Sequence, residues 1–138
     1  MSITRHLEVI FCDDIREEVG NKISYMGVYS ADLTVPVLPI VLNKLCIVVR
    51  AITNNSDPFE SLNVSVLQGD DSAELINTGP IALPVVNPDS KESSLQVVQL
   101  TFMLTPFQID KETTIRVVAT TEREELSGAS LRIHVAQP

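Results

Sequence analysis

Asp13, Asp14, Arg16 and Glu17 stand within five positions of one another, inside a stretch from Leu7 to Tyr29 that holds more varied chemistry than any other part of the chain. Three uses of these groups are open. Asp13 and Glu17 could act as a carboxylate pair in hydrolysis, one giving and one taking a proton. Asp13 and Asp14, joined by Asp57, Glu122 and Glu124 from other loops, could supply the six to eight oxygens that a hard cation such as Ca²⁺ requires. Or Asp13, Asp14, Arg16 and Glu17 could form a recognition surface with Asn21 of the following turn and with Tyr25 and Tyr29, which fall four apart on one face of the next strand. Plainer roles exist for the same residues. Arg16 can pair with Asp13 or Asp14 to fix a turn, the tyrosines can pack with their hydroxyls at the rim, and acidic turns can simply keep loop ends solvated or dock a basic partner.

The absences narrow the choice. Five glycines leave no phosphate loop of the Walker type and no G-x-G-x-x-G, and no G-x-S-x-G elbow occurs. His6 and His134 stand at opposite ends of the chain. First and last strands of a sheet protein could bring them together, although a triad needs more parts than this sequence offers. Cys12 and Cys46 each sit inside an apolar run, where they read as small core hydrophobes or as an inter-strand disulfide. Two cysteines fall short of a structural zinc site. No cofactor is expected. A formal charge of -8 disfavours nucleic acid and anionic membrane surfaces. The apolar runs are too short to span a bilayer, and Met1 to His6 does not resemble a secretion signal, so an intracellular, cytoplasmic protein is expected.

The elements that must position these residues are strands. Hydrophobic residues make up 44% of the 138, with aromatics only 4%, so the core must be built from Val, Ile and Leu, whose branched members favour sheet. Alternation predicts strands at His6–Cys12, Lys22–Ser30, Leu62–Val66, Ala73–Thr78, Val98–Leu104, Ile115–Ala119 and Leu131–Val135, with Lys44–Thr53 as a central strand. Asp13 to Val19 reads as a helical turn capped by Asp13 or Asp14, or as a wide charged turn. Gly27 marks a bulge or a close backbone approach, and Leu33 to Ile40, broken by Pro36 and Pro39, suits an edge strand or a crossing. Residues 79–94 read as a long connection between sheets. The expected fold is a single all-β domain over residues 1–138, a two-sheet antiparallel, immunoglobulin-like sandwich of about eight or nine strands. Loop parity then places Asp13-Asp14-Glu17, Asp57-Glu60, Asp89 and Glu122-Glu124-Glu125 at one pole and Asp70-Asp71 at the other.

Cys12 to Tyr29, C-D-D-I-R-E-E-V-G-N-K-I-S-Y-M-G-V-Y, followed by Asp32-Leu33 and Pro36, resembles a family of small bacterial proteins of unknown function that share F-C-D-D-I-R-x-E-x-G-x-K-x-S-x-x-G-x-Y near the amino end. The resemblance covers the first third well and the remaining strand pattern loosely, and implies no activity. Val98 to Val135 is similar in layout to bacterial immunoglobulin-like sandwiches, at the level of fold alone. The sequence thus leads to a non-enzymatic binding or assembly module with a protein partner. Its contact surface would be the turn from Asp13 to Asn21 and the strand after it. A homodimer through an edge strand near Leu33 to Val37 is a further expectation.

Overall fold

In segments such as Leu62–Val66, Ile115–Ala119 and Leu131–Val135 apolar residues recur at every second position, and such spacing buries one face of a pleated strand. In the computed structural model, which describes residues 4–83 and 95–137, every helix or strand element among those residues is a strand. In chain order they are β1 (His6–Glu18), β2 (Lys22–Val28), β3 (Asp32–Val35), β4 (Ile40–Leu42), β5 (Leu45–Asn54), β6 (Leu62–Gln68), β7 (Ala73–Pro80), β8 (Leu95–Leu104), β9 (Phe107–Ile109), β10 (Thr113–Thr121), β11 (Glu125–Ser127) and β12 (Leu131–Val135). The first sheet has the order β2-β1-β5-β8. The second runs β3-β12-β10-β6-β7, with β11 also paired to β10, and β4 pairs with β9 in a small third sheet.

β5 is an interior strand of the first sheet, flanked by β1 and β8. Its residues Leu45, Ile47, Val49 and Ala51 enter the core with Leu7 and Phe11 of β1 and Val98 of β8. Val64, Val66, Ile115, Val117, Leu131 and Ile133 come from the second sheet, and Phe107 and Ile109 from the third, to form one cluster. Burial of each such side chain contributes about 1.5–3 kcal/mol, so this shared apolar seam holds the sheets together. The alternate residues of β5, Cys46, Val48 and Ile52, are buried as well, on the opposite face.

Several expectations change. Among the described residues there are twelve strands rather than eight or nine, because β4, β9 and β11 have three residues each, too few for alternation to reveal. The described residues form three sheets rather than two, and the pairing is not wholly antiparallel: β3 lies parallel to β12. A hundred residues separate Thr34 from its register partner His134, so no hairpin dictates their direction. Asp13 to Glu18 forms neither a helical turn nor a wide loop but the second half of β1, since β2 supplies a ladder for it and the reversal is deferred to residues 19–21. Asp89 and the rest of 84–94 lie outside the described residues, and the start of that expected connection, Gly79-Pro80, ends β7.

Candidate functional site

β1 changes partners midway. From His6 to Cys12 it pairs with β5, Cys12 standing opposite Cys46; from Cys12 to Glu18 it pairs with β2, Cys12 standing opposite Val28. Beyond Cys12 the β1–β2 hairpin therefore has no ladder to β5 and forms a two-stranded arm. Its tip, Val19-Gly20-Asn21, reverses the chain with φ of 88° at Gly20 and 60° at Asn21, values that glycine and asparagine accept most readily. Val19 is 93% exposed there.

At the root, the register runs from Cys12↔Val28 to Asp14↔Met26 without a shift, which sets Asp13 across from Gly27. Gly27 makes no bulge; it is a close approach. Its φ is +67°, and a methyl group at that position would overlap the Asp13 carboxylate. The Tyr29 hydroxyl donates to the same carboxylate. Burial, then the hydrogen bond to Asp13, pushes the Tyr29 phenol well above its ordinary range. Asp13, Gly27 and Tyr29 thus lock the arm to the body, which gives the spacing D-x(13)-G-x-Y a physical reason. Tyr29 also packs against the core, whereas Tyr25 lies farther out, opposite Ile15.

Asp14 accepts from Lys44 Nζ at 3.1 Å and from the Ile15 N–H at 2.9 Å. Lys44 foremost, then the Ile15 amide, holds its carboxyl below the usual range. Arg16 therefore does not make the expected pair, because Tyr29 and Lys44 have taken Asp13 and Asp14. Among the described residues it forms no ion pair and stands exposed with Glu17. Glu17, Glu18, Asn21, Lys22 and Ile23 line a shallow hollow of about 270 Å³ at the tip.

The acidic pole is real but differently composed. Arg5, its side chain 4% exposed, places Nη1 2.7 Å from Glu122 and 3.5 Å from Glu124, and Nε 3.4 Å from Asp57. It donates to the Pro58 carbonyl at 2.7 Å and lies over the Phe59 ring, 4.8 Å from its centroid. Arg123 clamps Asp57 from outside and lowers its carboxyl pKa. Burial would raise Glu122, but hydrogen bonds from the Glu60 amide, its own amide, the Arg5 guanidinium and the Ser61 amide outweigh it and hold the group at about 2. Two guanidiniums thus occupy the place where a cation would be needed. Asp13 and Asp14 do not join this pole. They sit eight or more residues along β1, about 25 Å away at strand rise, because Asp13 to Glu18 is strand rather than loop. Among the described residues no group of three or more His, Cys, Asp or Glu is placed to hold a metal ion. Asp70 and Asp71 lie at the other pole, beside Gly69, Lys111, Glu112 and Arg132 around a mixed-charge hollow of about 570 Å³.

Other candidate groups stay apart. Asp13 and Glu17 share a face but are four strand residues, about 13 Å, from each other, beyond the roughly 5–10 Å across which paired carboxylates of glycosidases work. His6 lies by Glu8 in the first sheet, His134 by Asp32 in the second. Cys12 and Cys46 are cross-strand neighbours with free thiols, and both are fully buried. Burial, then the neighbouring Cys46 and Asp13, pushes Cys12 up to about 11, and burial raises Cys46 too. Sequence reasoning missed Arg5. A lone arginine before an apolar strand carries no local signal, and its carboxylate partners lie 52 to 119 residues away.

The model of a family of unknown function, DUF6941, matches residues 8–134. No curated protein and no solved structure matches the chain.

Proposed function

We propose that this chain, which belongs to the family of unknown function DUF6941, is a non-enzymatic binding or assembly module built on a β-sandwich of immunoglobulin type, with the β1–β2 arm as its contact element. One observation carries the reading. Of the eight large apolar side chains that stand exposed among the described residues, four (Val19, Ile23, Met26 and Val28) fall within ten residues of the arm, at 40–93% exposure. Apolar groups kept in water beside Arg16, Glu17 and Lys22 resemble the mixed patches through which proteins bind one another. The sandwich reading draws support from the single core that both larger sheets share. Two adjacent cysteines kept as thiols suit a reducing, cytoplasmic compartment. No helix of the described residues is long and apolar enough to cross a membrane.

The test is affinity capture from native lysate with the wild type and an Ile23→Asp/Met26→Asp variant, alongside Asp14→Ala/Arg16→Ala. A protein partner held by the wild type and lost by the arm variants is the expected result. A partner retained equally by all three chains contradicts the arm as the contact element.

A further inference from the structure

β8 is the last strand of the first sheet, and its sequence, L-Q-V-V-Q-L-T-F-M-L, holds no charge, no proline and no glycine. It pairs with β5 from Leu45↔Leu104 to Asn54↔Leu95 without a register shift, so its backbone is regular throughout. Among the described residues no strand lies on its other side. Open edges recruit further strands, and natural proteins blunt them with charge, proline, bulges or short length. The other sheet edges here carry such devices. β2 has Lys22 and the positive-φ Gly27, β3 has four residues and runs into Pro36, and β7 has two register shifts and Pro80. β8 has none of them. Its side chains also lack cover: Val97 and Met103 are 37% and 57% exposed on one face, and Leu100, Phe102 and Leu104 are only partly buried on the other.

The direction of its free backbone groups follows from the ladders. The Tyr29 N–H donates to the Phe11 carbonyl, so the odd residues of β1 address β2 and the even ones address β5. Carried through the unshifted β1–β5 and β5–β8 registers, this alternation leaves the N–H and C=O groups of Val97, Gln99, Thr101 and Met103 pointing away from the sheet.

We propose that this edge pairs with β8 of a second copy of the chain, antiparallel about a two-fold axis at Leu100, joining two four-stranded sheets into one. The register is self-complementary. Leu100 meets the partner's Leu100, Val98 meets the partner's Phe102, Val97 meets the partner's Met103, and Gln99 meets the partner's Thr101, so over the seven residues about the axis apolar faces apolar and polar faces polar; the one unlike pair, Gln96 with the partner's Leu104, falls at the end of the ladder. Moving the axis to Gln99 would set Gln96 against the partner's Phe102 and Val97 against the partner's Thr101. Charge selects the occupant as well. Copies with a net charge of -8 repel, and β8 is an edge that brings no ionisable group to the axis; the nearest charge in its ladder is Arg50, across from Gln99 on β5. Such an isologous contact goes beyond the arm reading and leaves both arms free, at the two outer edges of the joined sheet, where they can engage partners bivalently.

Sedimentation equilibrium of the full chain over a wide concentration range tests this. The wild type should sediment at twice the chain mass. Gln99→Glu/Thr101→Glu, which sets like charges directly opposite each other across the axis, should halve that mass. Gln99→Glu/Thr101→Lys, which sets opposite charges there, should restore it. Both positions lie on the face away from the core, and circular dichroism serves to check that each variant folds. A wild type that stays monomeric at every concentration, a Glu/Glu variant that still dimerises, or a folded Glu/Lys variant that does not, overturns the proposal. A monomeric wild type whose arm variants still lose their captured partner would leave the arm reading standing alone.

Discussion

The two ends of β1 use the same residue types to opposite purpose. At the amino end Arg5 is buried beneath Asp57, Glu122 and Glu124, with Arg123 closing Asp57 from outside. At the carboxy end the strand outruns β5 and carries Asp13, Asp14, Arg16, Glu17 and Glu18 into an arm with one neighbour, β2. Density of charge does not separate the two regions; burial of the cation does. Where a guanidinium is taken out of water, the carboxylates around it become structural, since each is needed to offset its desolvation. Where no such cation exists, charged side chains remain solvated, and apolar neighbours such as Val19 and Ile23 remain exposed for contact.

That contrast breaks most visibly at Arg5. Arg5→Ala leaves Glu122 and its neighbours without their buried counter-charge and should cost about 3–5 kcal/mol, the range for breaking one side of a buried ion pair; urea denaturation measures it as a fall in midpoint at unchanged slope. Acid attacks the same end. Glu122 titrates near 2 when folded against an ordinary 4.5, so the folded state binds fewer protons between those values and stability rises with pH through that window. The contribution is complete above pH 4.5 and lost as pH falls toward 2. A melting series should therefore show Glu122→Gln below the wild type at neutral pH and converging with it near pH 2. Asp14, whose carboxyl Lys44 holds below its ordinary range, contributes in the same sense, so Asp14→Asn should also fall below the wild type at neutral pH and converge with it in acid, by less than Glu122→Gln because this end is solvated.

Effects at the arm should be smaller and more local. Gly27→Ala meets the Asp13 carboxylate and forces a side chain into a positive-φ backbone, a cost of about 1–2 kcal/mol for the conformation alone. Tyrosine absorbance titration should register the release of Tyr29 from Asp13 as a fall of its raised pKa toward the ordinary value. Arg16→Ala, which removes no ion pair, should leave the denaturation midpoint unmoved while weakening partner capture.

Much of this was legible in the sequence. The central strand at Lys44–Thr53, the Gly20-Asn21 reversal and the close approach at Gly27 all rest on local rules of period two and positive φ, which a chain states within a few residues. The continuation of β1 was not legible, because Asp13-Asp14 before Ile15 looks as much like a helix cap as like a strand, and only the β2 ladder decides. The acidic pole was half legible. Parity brought Asp57, Glu122 and Glu124 together but swept in Asp13 and Asp14, and it had no means to foresee Arg5, whose partners are set by packing between distant loops. Strands of three residues such as β4, β9 and β11 fall below the length at which alternation becomes a signal.

Amide hydrogen exchange along β1 of the free chain tests the central distinction most directly, because one strand carries both regions. The amides of Glu8 and Ile10, bonded toward β5, should exchange only with global unfolding. That of Glu17, bonded toward β2 in the arm, should exchange through a local opening of much lower free energy that denaturant barely changes. Equal protection along the whole strand would contradict an arm standing free of the body.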